Sequence, residues 1–335
     1  MSSSEFDIIR RFFTRPAPQR DDVPLGIGDD AALLVPPPGM SLAVSVDTLV
    51  AGVHFPLDTS AEAIGYKALA VNLSDLAAMG AEPAWATLAI TLPSADDAWL
   101  SDFAVGFFAL AEAHQVQLVG GDTTRGPLSI TVQVMGFVPA GEALTRGGAR
   151  AGEGIYVTGS LGDAAAGLRL KQGMVSDQGL APDLVEALIA RLERPTPRVA
   201  AGRALRGLAS SAIDISDGLA ADLGHVLAAS GVGAVVDCAR LPLSAAYQAL
   251  AAMPAAQLDW RTAVSQGDDY ELCFTVPADR EAELQLRLAA VGCGYIRIGE
   301  TMAEAGLHWR DAAGHELPLP VSGFDHFAAA QNDKE

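Results

Sequence analysis

Cysteine, positive charge and long apolar runs are all scarce in this sequence. Of 335 residues only three are cysteine, Cys238, Cys273 and Cys293, and no two stand at a CxxC spacing. That excludes a zinc finger or a disulfide scaffold and suits a reducing compartment. Val236, Leu272 and Phe274 stand nearby in sequence, the setting of small buried hydrophobes. Lys and Arg number 22 against 41 Asp and Glu, a net charge of −19 with a pI near 4.6. So acidic a chain has no general means of binding nucleic acid or an anionic membrane surface. No apolar run reaches the ~18 residues of a membrane span. Residues 1–13 carry Glu5, Asp7, Arg10 and Arg11 where a signal peptide would have an apolar core. We expect a cytoplasmic protein.

The common signatures of nucleotide and nucleophile chemistry are missing as well. There is no G-x-x-x-x-G-K-[ST] loop, no protein-kinase motif set, no H-E-x-x-H and no G-x-S-x-G elbow. Gly26-Ile27-Gly28-Asp29-Asp30-Ala31 formally fits G-x-G-x-x-A, but two Asp would face the pyrophosphate and a strand follows, so a dinucleotide site is rejected.

What is present is a large hydrophobic share, 50 %, which supplies ample core. The length suggests two domains, at about 100–200 residues each. Gly/Pro- and Arg-rich segments at 139–141 and 146–150 mark the junction. The first half reads as a helix at 5–14, a hairpin-like pair of apolar runs (Leu33–Val35 and Leu42–Val46) across Pro36-Pro37-Pro38-Gly39, and a helix from a Ser60 cap to Met79. Strand 84–92, helix 96–114 and strands 116–119 and 128–138 follow. The second half reads as strands at 154–158, 213–215, 232–236, 270–276, 295–299 and 306–309. Helices are expected at 163–171, 183–191, 197–207, 219–230 and 279–290. The fold class is therefore mixed α/β in two halves.

The informative feature is a recurrence of Asp beside Gly, Ser or Thr at strand ends. It occurs at Gly28-Asp29-Asp30, Ser45-Val46-Asp47-Thr48, Gly120-Gly121-Asp122-Thr123, Asp214-Ile215-Ser216-Asp217-Gly218 and Gly267-Asp268-Asp269-Tyr270-Glu271. Any one of these could be an ordinary turn or helix cap. Asp75 cannot, because it sits inside an apolar helix on the same side as Asn72, and Lys67 is the only Lys or Arg between Arg20 and Arg125. A buried, unpaired carboxylate is costly, so a cation is expected. Oxygen donors without His or Cys favour Mg²⁺ or Ca²⁺ over zinc. Gly-rich loops add backbone N–H groups suited to phosphate.

Several segments closely resemble the thiamine-monophosphate kinase family of the aminoimidazole ribonucleotide synthetase-like superfamily. They are 26–34, 47–55, 67–81, 120–124, 213–219, 267–272 and Ser322-Gly323-Phe324-Asp325-His326-Phe327, in the family's order over residues 5–327. The resemblance implies a two-domain fold. Residues 1–140 would form a Mg-ATP-binding and dimerisation domain whose β-barrel is shared within a homodimer, with helices outside. Residues 150–328 would form an α/β domain completing the site. It implies transfer of a phosphoryl group from ATP to thiamine monophosphate, with several Mg²⁺ ions and no covalent nucleophile. The residues at the family's metal positions are Asp30, Ser45, Val46, Asp47, Asp75, Asp122, Asp214 and Asp217; Val46 can offer only its carbonyl. Those at the ATP positions are Gly121, Asp122, Arg146 and Ser216. His54, Glu271 and Phe324 fall at the acceptor positions, where Phe324 keeps a ring for stacking. A different enzyme of the superfamily, or a non-catalytic Mg-nucleotide-binding protein, are the alternatives. The first cysteine, Cys238, lies far from any N-terminal Gly-rich loop, and the chain ends Asn332-Asp333-Lys334-Glu335 without a cysteine; both facts speak against the superfamily members that use one there.

Overall fold

Ser60 accepts a hydrogen bond at its side chain from Ala63 N and starts the helix on which the molecule is built. That helix presents no polar face to solvent, and 15 of its 18 residues are buried, Lys67, Asn72 and Ser74 among them. A helix with no polar face must be surrounded, and this one is packed between the two halves of the chain. The fold is that of a computed structural model, which describes residues 4–15 and 19–318.

The N-terminal half runs α1 (Glu5–Ile8, continuing as a wider π-turn over Ile9–Phe13), β1 (Met40–Val50), α2 (Ala61–Ala78), β2 (Glu82–Leu92), α3 (Asp97–Ala113), β3 (Gln117–Arg125) and β4 (Ser129–Pro139). The C-terminal half runs β5 (Gly154–Thr158), α4 (Asp163–Lys171), α5 (Pro182–Glu193), α6 (Val199–Leu205), β6 (Ser211–Asp214), α7 (Leu219–Ser230) and β7 (Gly233–Asp237). It continues with α8 (Ala245–Ala251), α9 (Trp260–Ser265), β8 (Leu272–Val276), α10 (Glu281–Ala290), β9 (Tyr295–Met302), β10 (Leu307–Arg310) and β11 (Glu316–Leu317).

Among the described residues the strands form two sheets, ordered β1-β4-β2-β3 and β11-β10-β7-β9-β5-β8-β6. In the first, β4 pairs antiparallel with β1 and β2, while the α3 crossover returns β3 parallel to β2. This sheet is open, with β1 and β3 as its edges. In the second only β7 and β10 are parallel.

α2 and α3 lie unusually close. A Cβ on Gly106 would stand 1.8 Å from Glu62 O, and one on Gly65 would stand 2.1 Å from Phe103 O, so only glycine admits this contact. One continuous core joins Leu69, Leu73 and Leu76 of α2 to Leu205, Leu272 and Phe274 of the C-terminal half.

Three local expectations change. Leu33–Val35 does not form a hairpin with the following run: Leu33 makes one isolated bridge to Leu25, and β1 pairs over its full length with β4. Three prolines precede Gly39, and without N–H groups they cannot start a two-strand ladder. Gly120-Gly121-Asp122 lies within β3 rather than after it, where a register shift opposite Ala86/Thr87 admits Gly121 against the Leu88 backbone. The short helices α8 and α9 fall in stretches with no clear period and were not anticipated.

Candidate active site

Asp47 and Asp75 are brought together by α2. Asn72 Oδ1 accepts from Asp47 N at 3.0 Å, and Asp75 Oδ2, one turn further along, accepts from Ser45 Oγ at 2.5 Å. The same helix then reaches the other half of the chain, where Ser74 Oγ donates to Asp214 Oδ2 at 2.7 Å. Asp214 closes β6, and the chain turns through Ser216, Asp217 and Gly218 into α7.

Asp222, a buried carboxylate in the first turn of α7, holds this turn. It accepts from both Ser216 N and Asp217 N at 3.1 Å. The 265–270 segment packs against it backbone to backbone, with Asp268 N donating to Ser216 O (2.9 Å) and Tyr270 N to Ile215 O (2.8 Å). A Cβ on Gly267 would lie 1.8 Å from Ser216 O. Asp268 (φ +70°) and Tyr270 (φ +50°) consequently adopt left-handed backbone, strain of the kind that surroundings must over-determine.

These elements enclose a cavity of about 920 Å³ lined by Val46, Asp47, His54, Asp75, Asp214, Ser216, Asp217, Asp268 and Tyr270. Ala164, Ala165, Leu168 and Arg169 of α4 and Gln172 at its C-cap also line it. The carboxylates repel one another in a partly dry setting. Burial, then Asp75 and Asp217, push Asp47 up to about 6. Burial, then Asp75, Asp222 and Asp47, push Asp214 up to about 8. Asp75 is raised by burial against the opposing pull of Ser45 and Arg146, which places Arg146 within electrostatic reach of the site.

Asp30, Gly121 and Asp122 belong elsewhere. They line a second cavity of about 610 Å³ with Glu5, Phe6, Ile9 and Phe13 of the N-terminal helix and Gly28, Asp29 and Gly120. The expected metal residues therefore divide into two groups within one chain. Asp47, Asp75, Asp214 and Asp217 form one, with Ser45 behind Asp75 and Val46 beside it; Asp30 and Asp122 form the other. Ser216 and His54 lie in the larger cavity, and His54 Nδ1 accepts from Val50 N at 3.0 Å.

Glu271 does not line either cavity. Its carboxylate is fully buried and bonded by Arg198 Nε and Nη2 (both 2.6 Å), Arg191 Nη2 (2.8 Å) and Thr158 Oγ1 (2.6 Å). It steadies the segment from which Asp268 and Tyr270 face the cavity. Phe324 lies outside the described residues.

Among the described residues no three His, Cys, Asp or Glu converge as a closed metal cage. The donor set nevertheless fits a hard divalent cation that keeps waters and shares phosphate oxygens. It consists of carboxylates whose mutual repulsion a cation would relieve. Asp222 carried the same signal as Asp75, a lone acid in an apolar helical stretch, and could have been found from it. Arg169 and Gln172 carried none, since a cation on an amphipathic helix is an ordinary surface feature.

Two family models match the chain: AIR synthase related protein, N-terminal domain, over residues 28–138, and AIR synthase related protein, C-terminal domain, over residues 150–310. The chain is 52 % identical over 332 residues to the thiamine-monophosphate kinase of Escherichia coli (strain K12), covering 98 % of this chain and 99 % of that one. Its fold is similar to the crystal structure of thiamine-monophosphate kinase from Stenotrophomonas maltophilia K279a, with a TM-score of 0.81 and 51 % identity over 87 % of this chain and 92 % of that one. A structure described as AaThiL complexed with AMPPCP and TMP matches with a TM-score of 0.76 and 31 % identity, over 90 % and 92 % of the two chains.

Proposed function

We propose a function from one premise: the chain belongs to the thiamine-monophosphate kinase family and is a kinase. The reaction is transfer of the γ-phosphoryl group of ATP to the phosphate of thiamine monophosphate, giving ADP and thiamine diphosphate. The observation that carries this reading is the convergence of Asp47, Asp75, Asp214 and Asp217 on one cavity in a chain 52 % identical to such a kinase over 98 % of its length.

The acceptor atom is a phosphate oxygen, largely ionised near neutral pH because its second pKa is about 6. It needs no general base to attack, and among the described residues no hydrogen bond joins a Ser or Cys to a His in the cavity as a nucleophile pair would. The oxygen attacks the γ-phosphorus directly, in line, and ADP leaves with the electrons of the broken P–O bond. Asp47, Asp75, Asp214 and Asp217, with Ser45 and the Val46 carbonyl, would hold Mg²⁺ here, and Asp30 and Asp122 would hold further ions. When bound, such ions screen the repulsion between two polyanions and align them.

Gly121, Asp122, Arg146 and Ser216 hold ATP, and His54 and Phe324 the acceptor. Asn72, Ser45, Ser74 and Asp222 set the carboxylate positions through the hydrogen bonds described above. Glu271 acts on the acceptor by anchoring Asp268 and Tyr270.

The enzyme works as a homodimer in the cytoplasm. Edge strand β1 supports the dimer: alternate residues Met40, Leu42, Val44 and Val46 expose an apolar face, with Val44 52 % and Val46 57 % accessible. Two such open sheets joined at that face would close into the barrel. No described helix is long and apolar enough to cross a membrane, and all three cysteines are free.

The test is incubation with Mg-ATP and thiamine monophosphate followed by chromatography. Thiamine diphosphate and ADP in equal amounts are expected; ADP without thiamine diphosphate, or no product, refutes the reading.

A further inference from the structure

Five aspartates line the larger cavity, from β1, α2, the turn after β6 and the 265–270 segment, yet an anionic acceptor must enter it. One lysine or arginine side chain faces that space among the described residues: Arg169. It stands on α4, whose lining residues Ala164, Ala165, Leu168, Arg169 and Gln172 recur at helical spacing and form one face. Lys171, on the opposite side of the same helix, is held by Asp58 (3.4 Å) and by Glu193. Arg169 has no carboxylate partner among the described residues, although five aspartates share its cavity. The cation whose charge acts on Asp75 is Arg146, whereas Arg169 acts on Tyr247 outside the lining, so Arg169 stands apart from the Asp set and its charge is available to a ligand.

We propose that Arg169 binds the phosphate of the acceptor, with Gln172, one turn further on, as a second donor, and that the pair selects a phosphorylated alcohol over the free alcohol. The inference rests on the reaction proposed above and adds residues to it. The nucleotide phosphates can be met through ions on the aspartates and by Arg146. The acceptor phosphate requires a cation of its own, because it must lie beside the γ-phosphoryl group without a carboxylate facing it. The planar guanidinium fork suits two phosphate oxygens and leaves a third to attack. A site with such a donor rejects the analogue that leaves it unpaired.

The test compares the wild-type enzyme with Arg169→Gln and Arg169→Lys, using thiamine monophosphate as substrate and unphosphorylated thiamine as competing inhibitor. Arg169→Gln is expected to raise KM for thiamine monophosphate about 10–150-fold, the factor for a charged hydrogen bond. KM for ATP, the inhibition constant of thiamine and the unfolding midpoint are expected to stay within about twofold or a few degrees of wild type. Arg169→Lys retains the charge without the fork and should lie between; it carries the test if the Gln variant does not fold. An unchanged KM, or an equal weakening of thiamine and thiamine monophosphate, overturns the assignment while leaving the kinase reading intact. Wild-type enzyme that does not convert thiamine monophosphate overturns the kinase reading itself, and this inference with it.

Discussion

Lys67 Nζ donates to Asp268 Oδ2 at 3.0 Å, joining α2 of the N-terminal half to the 265–270 segment of the C-terminal half across 201 residues of sequence. Lys67 is 2 % exposed, whereas Asp268 opens onto the cavity and also accepts from Tyr270 Oη at 3.0 Å. The same ammonium reaches His54 O at 3.4 Å. One buried charge therefore ties together the loop of His54, the helix of Asp75 and the strained segment of Asp268.

Lys67→Met keeps the volume and removes the charge. Asp268 loses its cation and keeps only the Tyr270 hydroxyl, and the fold is expected to lose about 1–3 kcal/mol, the cost of leaving one polar partner unmet. Chemical denaturation of the variant beside wild type measures this, and turnover should fall as the cavity wall loosens. An unchanged midpoint with full activity would remove any role for the pair.

Asp47→Asn and Asp75→Asn each remove a carboxylate pushed towards its neutral form, Asp47 by burial and by repulsion from Asp75 and Asp217, Asp75 by burial, while Asp75 itself repels Asp47 and Asp214. Both variants should lose nearly all turnover. Without metal they should unfold at a temperature equal to or above wild type, because a repelling charge has gone. Near-normal activity of either at moderate Mg²⁺ refutes the metal role, and a lowered midpoint refutes the electrostatic account.

The same shifts set a pH dependence. Asp47 titrates near 6 and Asp214 near 8 in the folded chain, against an ordinary value of 3.8. The native state thus holds protons that the unfolded chain has already released. Stability from these groups is present below about pH 4 and is lost as pH rises, through about 6 for Asp47 and about 8 for Asp214. Metal-free protein should melt lower at pH 8 than at pH 5.5, and Mg²⁺ should raise the midpoint more at pH 8, where the carboxylates are ionised. Thermal melts in chelator and in Mg²⁺ at the two pH values check this; an equal Mg²⁺ effect at both would refute it.

Val44 lies on the exposed apolar face of β1 and outside the cavity lining. Val44→Glu should shift the proposed dimer to monomer in light scattering at micromolar concentration, with far-ultraviolet circular dichroism unchanged. A wild-type monomer, or a variant that remains dimeric, rules out this face as the interface.

Much of this molecule was legible in the sequence. The Ser60 cap and the Ala/Leu-rich stretch behind it predict α2 to within a residue, and 154–158, 163–171 and 219–230 coincide with β5, α4 and α7. These are local matters: period, caps and turn residues are set by neighbours in the chain. Asp75 stood out because a charge within such a run must be compensated. The motif order further placed the chain in its family.

Other features depended on contacts between distant residues. Leu42–Val46 reads as half of a hairpin from the sequence because its true partner, β4, lies about 90 residues away, from Val46↔Gln133 to Leu42↔Phe137. The aspartates looked like one set, yet β1, α2 and β6 gather Asp47, Asp75, Asp214 and Asp217, while the opposite edge strand β3 carries Asp122 towards Asp30. Glu271 and Asp268 are three residues apart; one is sealed between Arg191 and Arg198 and the other faces the cavity. A sequence specifies which groups can bind an anion or a cation. Which of them share a space, and which are already neutralised by a partner, follows only from the packing of α2 against both halves of the chain.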